Sequence, residues 1–228
     1  MLGVEQLIEC PELTRAPAVV AILLPMLLVI TTGGAVEAQD EPSTIGPFVV
    51  DVRGSFPSFP EDPLLASSRG LDVRELPGRG YGLDAGAHVY LLKWKAVTIG
   101  LGGQYTIARS RSSPETGLEL RSVTERFTSI TPQLSLNFGS GDGWSYLSAG
   151  RGTSTWSIVP DDQQPGSGDR ERLTTFNYGG GARWFARPHL AFTFDVRVHE
   201  VAPGSPESGR PGSPRTFLLV LSAGVSVK

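Results

Sequence analysis

Through most of this chain apolar and polar side chains alternate with a period of two, and no stretch of residues 39–228 sustains apolar positions at i, i+3, i+4 and i+7. Only a pleated strand sends successive side chains to opposite faces, so the pattern predicts an all-β domain with almost no helix. Eight strands are expected: Phe48–Phe56, Tyr81–Leu92, Ala96–Ala108, Ser122–Phe138, Trp144–Trp156, Leu173–Phe185, His189–Val201 and Thr216–Lys228.

The two faces differ consistently. In the second strand Leu83, Ala85, Ala87, Val89 and Leu91 lie opposite Asp84, Gly86, His88 and Tyr90. In the seventh, Leu190, Phe192, Phe194, Val196 and Val198 oppose Ala191, Thr193, Asp195, Arg197 and His199. The fifth strand has no clear apolar face. Pro132 in the fourth removes a ladder hydrogen bond, which predicts a bulge or fraying there.

The connections alternate in length. Pro57–Gly80, Arg109–Arg121, Ser157–Arg172 and Ala202–Arg215 are long and rich in Pro, Gly and Ser, whereas Lys93–Lys95, Gly139–Gly143 and Ala186–Pro188 are short. Four long loops at one end and three tight turns at the other predict an eight-stranded antiparallel up-and-down transmembrane β-barrel with apolar residues outside and polar ones inside. In such a wall only alternate residues face lipid, which accounts for a hydrophobic content of just 39%. Trp94, Trp144 and Trp184 fall in or beside short turns with Phe138 and Phe185 near them, and Trp156 falls at the long-loop end. That placement predicts interfacial aromatic belts.

The N-terminus reads differently. An apolar run from Ala16 to Ile30 is followed by Val36-Glu37-Ala38-Gln39. The order of an apolar core and then small residues predicts a secretory signal peptide over residues 1–38, cut between Ala38 and Gln39. An uncleaved anchor is the alternative, although the run is short of the roughly 20 residues a spanning helix needs. Cleavage removes Glu5, Glu9, Glu12, Glu37 and Arg15, so the formal charge of -3 becomes balanced, and it also removes Cys10, the single cysteine. A thiol-free chain suits an oxidising compartment. Balanced charge argues against nucleic-acid binding.

These residues resemble the small outer-membrane β-barrel domain proteins, the group that includes OmpA-like and OmpX-like eight-stranded barrels. The resemblance is carried by Thr131-Pro132-Gln133-Leu134-Ser135-Leu136-Asn137-Phe138-Gly139, Gly143-Trp144-Ser145-Tyr146-Leu147-Ser148-Ala149-Gly150, Asn177-Tyr178-Gly179-Gly180-Gly181-Ala182-Arg183-Trp184 and Ala223-Gly224-Val225-Ser226-Val227. It implies location in a bacterial outer membrane, contact with outer-membrane lipids and lipopolysaccharide, assembly by the barrel-assembly machinery, and a monomer. The chain departs from the group in ending Val227-Lys228 rather than on an aromatic residue.

Six ionisable residues are expected inside the barrel: Asp51, Arg53, Asp84, Arg183, Asp195 and Arg197. Eight strands leave room for side chains but not for a pore, and charges in so narrow a lumen must pair, so a plugging salt-bridge network is expected. Gly100-Leu101-Gly102-Gly103 and Gly179-Gly180-Gly181 precede no Lys-Ser/Thr pair and no helix, so they are strand glycines and not phosphate loops. The scattered His88, His189 and His199 give no metal site, and no cofactor is expected. Asp161, Asp162, Asp169 and Glu171 read as a solvated acidic loop. The expected role is non-enzymatic: structural support of the membrane, or adhesion and recognition through the four long loops. Two alternatives stand beside it. A lipid-modifying enzyme of deacylase or acyltransferase type would use His199 or His88, with His199 at the long-loop rim; however, His199 and the neighbouring Glu200 face opposite sides of a strand. A soluble lipocalin-like binder would carry its apolar residues inside.

Overall fold

The computed structural model describes residues 44–113, 120–166, 169–206 and 211–228. The expected leader, with Ala38 and Gln39, lies outside the described residues. Eight strands form one closed antiparallel sheet in sequence order: β1 (Phe48–Ser58), β2 (Gly80–Trp94), β3 (Val97–Arg111), β4 (Val123–Ser140), β5 (Gly143–Pro160), β6 (Arg170–Arg187), β7 (Leu190–Val201) and β8 (Thr216–Val227). Pairing of β1 with β8, from Val50↔Val227 to Ser58↔Leu219, closes the ring and leaves no free edge. Among the described residues no helix is long and apolar enough to cross a membrane, which says nothing against crossing by strands.

β1, β3, β5 and β6 run two to four residues further into the long loops than the alternation alone indicates, because cross-strand pairing persists there. β4 and β5, for example, remain paired as far as Val123↔Pro160. The short connections stay tight, and Lys95, in the β2–β3 turn, adopts φ 55°, the left-handed conformation that two-residue hairpins require. Register shifts occur between Tyr90 and Leu92 and between Phe185 and Arg187, both near the short turns.

The irregularity expected at Pro132 takes another form. Pairing with β3 runs unbroken through Gly103↔Pro132, and on the other side Ile130↔Thr153 and Gln133↔Gly150 keep the same register, with residues 131 and 132 left out of the β4–β5 ladder. There is neither bulge nor slip. Gly150 makes this possible, since a Cβ at that position would sit 1.8 Å from the Pro132 carbonyl oxygen.

The wall is inverted relative to a soluble barrel. Val52, Leu83, Leu101, Ile130, Phe192 and Phe217 are exposed on the outside, whereas Asp51, Gln104, Gln133, Asn177, Asp195 and Ser226 are buried inside.

The long β1–β2 connection is folded. Asp62 caps a short helix, α1 (Pro63–Ser68), its carboxylate accepting from Leu64 N at 2.7 Å and Leu65 N at 3.1 Å, with Pro63 in the first turn where its missing N–H costs nothing. A 3-10 turn, Val73–Glu75, follows and is closed by a capping box between Asp72 and Glu75. Together they turn Phe59, Leu65, Leu71 and Leu76 down onto Phe127, Trp156, Val201, Leu218 and Val220, a buried apolar cluster that fills the long-loop end of the barrel. Burial of each of these side chains contributes about 1.5–3 kcal/mol, enough to order a loop of this composition over the mouth.

Candidate functional site

The lumen is stacked in three tiers. At the short-turn end Val49, Trp144 and Tyr146 pack with Ile45, Tyr90 and Phe185. At the long-loop end is the apolar cluster under the β1–β2 connection. Between them lies a polar tier in which five charged residues of β1, β6 and β7 are joined through Tyr146 of β5 into one continuous chain of hydrogen bonds and ion pairs.

Arg183 grips Asp51 with two parallel bonds, from Nε to Oδ1 at 2.9 Å and from Nη2 to Oδ2 at 2.6 Å. Asp51 also accepts from Ser226 and has Arg53 Nη1 at 3.7 Å. Arg53 donates to the Tyr146 hydroxyl at 3.2 Å, and that hydroxyl donates onward to Asp195 at 2.7 Å. Asp195 is held by Arg197 through Nε and Nη2, at 3.0 and 2.9 Å. Arg197 donates further to Asn177 Oδ1 at 2.8 Å and to Ser148 at 2.9 Å. Asn177 and Gln104 both accept from Gln133, which extends the chain across the barrel.

All six charged residues expected in the lumen are therefore buried, and five of them are bonded into this chain. Asp84 stands directly opposite Arg53 in the β1–β2 pairing, outside the bonded chain but facing the same guanidinium. Three carboxylates meet three guanidinium groups, so the tier is balanced in charge. That balance matters, because an unpaired ion in a low-dielectric lumen costs several kcal/mol.

Tyr146 is the functional residue that the sequence conceals. Its hydroxyl joins two ion pairs, and its ring lies under the Arg183 guanidinium at 4.0 Å. β5 carries its aromatic residues on its inner face, so apolar character marks the wrong side and the alternation reads as ambiguous. The parity shared by Trp144, Tyr146 and Ser148 is the signal that would have found it.

Two members of the expected aromatic belt lie elsewhere. Trp144 is 3% exposed and points inward, stacked on Phe185 at 5.0 Å and meeting Tyr90 edge-on at 5.8 Å. Trp156 is also buried, packed on Phe127 and donating its indole N–H to Glu125 at 2.7 Å. Both occupy inward positions on β5, which overrides proximity to a turn or loop. Trp94 and Trp184 are 67% and 60% exposed on the outer face, and Phe138 is half-buried there.

The expectation that His199 lies at the rim is corrected as well. It is fully buried in the lumen with its ring 5.3 Å from that of Phe127, so it does not face the outer leaflet. His88 is also buried, and His189 is exposed beside the Lys228 carbonyl. Among the described residues no three His, Cys, Asp or Glu side chains converge as a metal site would require.

The long loops are cross-linked outside the mouth. Glu171 is paired with Arg69 at 2.6 Å and accepts from Ser213, joining the first and fourth long loops to β6. Glu75 accepts from Arg121 N at 2.8 Å and Nε at 3.2 Å, tying the first loop to the second. Burial is the largest influence on the Glu75 carboxyl and would raise its pKa, but the Arg121 bonds outweigh it and hold the carboxyl below its ordinary value.

A closed eight-stranded ring with an apolar wall and a charge-paired interior is the fold of the small outer-membrane β-barrels. Among solved structures the chain is similar to Neisserial surface protein A, at TM-score 0.54 and 13% identity over 80% of this chain and 97% of that one. The attachment invasion locus protein Ail of Yersinia pestis (TM-score 0.43, 13% identity, 79% and 95%) and the N-terminal β-barrel domain of Pseudomonas aeruginosa OprF (0.40, 13%, 82% and 98%) are also similar. At this identity the likeness concerns the fold. No family model matches the sequence, and no curated protein matches it.

Proposed function

We propose that the protein is an integral barrel of a bacterial outer membrane, delivered by a cleaved signal peptide and monomeric. Its role is structural support of the membrane or surface recognition through its long loops. The observation that carries this reading is the inversion of polarity. Large apolar side chains cover the outside of β1 to β4 and β6 to β8, with Leu147 alone doing so on β5, while the interior holds a neutralised charge chain between two apolar plugs. Water would reject such a wall, and hydrocarbon accepts it. A lipocalin-like binder needs the opposite arrangement. The filled lumen supports a non-conducting barrel, and the burial of His199 and His88 away from the lipid-facing wall counts against a lipid-modifying reading.

The test is fractionation of cells producing the full chain, with protease shaving of intact cells and gel migration with and without boiling. The expected result is an outer-membrane pool with a heat-dependent shift and cuts confined to the four long connections. A soluble pool with no shift would sink the proposal.

A further inference from the structure

The outer wall is not uniform around the barrel. On β3 the outward residues Val97, Ile99, Leu101, Tyr105 and Ile107 are followed towards the long loops by Arg109, and on β4 Phe138, Leu136, Leu134 and Ile130 lead to Thr128 and Arg126. On β6 Trp184, Tyr178 and Phe176 lead to Arg172 and Arg170. A tilted strand crosses the hydrocarbon in about 9–11 residues, so these arginines emerge where the apolar span ends, at the headgroups of the leaflet nearer the long loops. Beyond β6, the same level carries Glu200 on β7 and Arg215 just before β8, which pair with each other.

Arg109 and Arg126 stand directly opposite in the β3–β4 pairing, Arg126 opposite Ser157, and Ser157 opposite Arg170. Like charges set directly across a strand pair destabilise it unless an anion lies between them. The three arginines line an outward-facing groove of about 560 Å³ together with the hydroxyls of Thr124, Thr128 and Thr155. The carboxylate at its edge, Asp161, is engaged by Arg111 at 2.7 Å and Thr124 at 2.6 Å and also attracts Arg109 without bonding to it. Among the described residues the ion pairs at this level are Arg111–Asp161 and Arg215–Glu200, and neither includes Arg109, Arg126 or Arg170.

We infer that this groove is a binding site for the phosphate groups of a membrane lipid headgroup, with Arg109, Arg126 and Arg170 as its cationic donors and the threonine hydroxyls as neutral ones. A lipid source is favoured over a dissolved anion because the groove opens on the lipid-facing wall, directly above Ile107 and Ile130, where an acyl chain continues from a bound headgroup. The inference rests on the membrane-barrel reading and adds a headgroup chemistry to it.

The test uses the full chain in uncharged maltoside micelles, titrated with a bisphosphorylated lipid A, with the same lipid after phosphate removal, and with inorganic phosphate, and read by native mass spectrometry. The phosphorylated lipid is expected to bind. Its affinity is expected to fall about tenfold in the Arg109→Gln/Arg126→Gln/Arg170→Gln variant, through loss of charge-assisted hydrogen bonds, and to be unchanged in Lys93→Gln at the other end of the barrel. Equal binding of the dephosphorylated lipid, equal binding by the triple variant, or competition by equimolar inorganic phosphate would overturn the site. The comparison of the two lipids on the unsubstituted protein stands even if the triple variant does not fold. Loss of the heat-dependent gel shift in the unsubstituted protein would count against the membrane barrel itself, whereas an intact shift with no phosphate preference counts only against this groove.

Discussion

Arg183 and Asp51, 132 positions apart in sequence, meet inside the lumen through two parallel hydrogen bonds, which fixes β6 relative to β1 across the barrel. Both side chains are about 1% exposed, so neither has water to replace its partner. Asp51→Asn or Arg183→Met alone is expected to cost about 3–5 kcal/mol, because each leaves a buried charge uncompensated. The joint substitution is expected to cost much less than the two together. Urea unfolding from lipid vesicles, followed by the gel shift, measures all three; strictly additive costs would show that the two residues are not coupled.

The tryptophans are expected to divide by side of the wall. In single-tryptophan variants, brominated lipids should quench Trp94 and Trp184 and leave Trp144 and Trp156 nearly unaffected, since the latter pair is buried in the lumen. Quenching of Trp144 by lipid would contradict its place on Phe185.

Trp156→Phe keeps the ring in the upper plug but removes the only hydrogen-bond donor that Glu125 has among the described residues. A cost of about 1–3 kcal/mol is expected from the stranded carboxylate. Combining it with Glu125→Leu should recover much of that loss in the same unfolding measurement.

The first long loop is expected to loosen in acid. The Glu75 carboxyl sits below its ordinary value of 4.5 in the folded protein, so the proton binds the unfolded loop more tightly. The stabilisation from Arg121 is therefore fully present above 4.5 and disappears as the pH falls through the lower folded value. An acid-active protease should cut residues 59–79 faster as the pH is lowered through that range, and Glu75→Gln should flatten the dependence. A cutting rate independent of pH in the unsubstituted protein would refute this.

Replacing residues 63–76 with a short Gly-Ser linker should uncover the upper plug without opening a pore. Acrylamide should then reach Trp156, which now lies beneath Phe59 and Leu65. Planar bilayers should still register no stepwise conductance, because Arg183, Tyr146 and Trp144 close the other end. Channel openings would show that the loop alone blocks the lumen.

Period-two alternation determined that this chain makes strands with one apolar and one polar face, because a strand exposes its two faces by geometry alone; the loop asymmetry then turned the apolar faces outward. The alternating lengths of the connections determined the order of an up-and-down barrel. The parity of Asp51, Arg53, Asp84, Arg183, Asp195 and Arg197 placed all six on the inner face. Sequence could not say which acid meets which base, since that depends on register around a closed ring and on Tyr146, whose aromatic character hides its inward position. Nor could it show that Pro57–Gly80 folds into the mouth, that Trp144 and Trp156 leave the interface for the lumen, or that Arg109, Arg126 and Arg170 form one row. Each of these is a contact between segments far apart in the chain. Local alternation says which side a residue faces; only closure of the ring decides what it faces there.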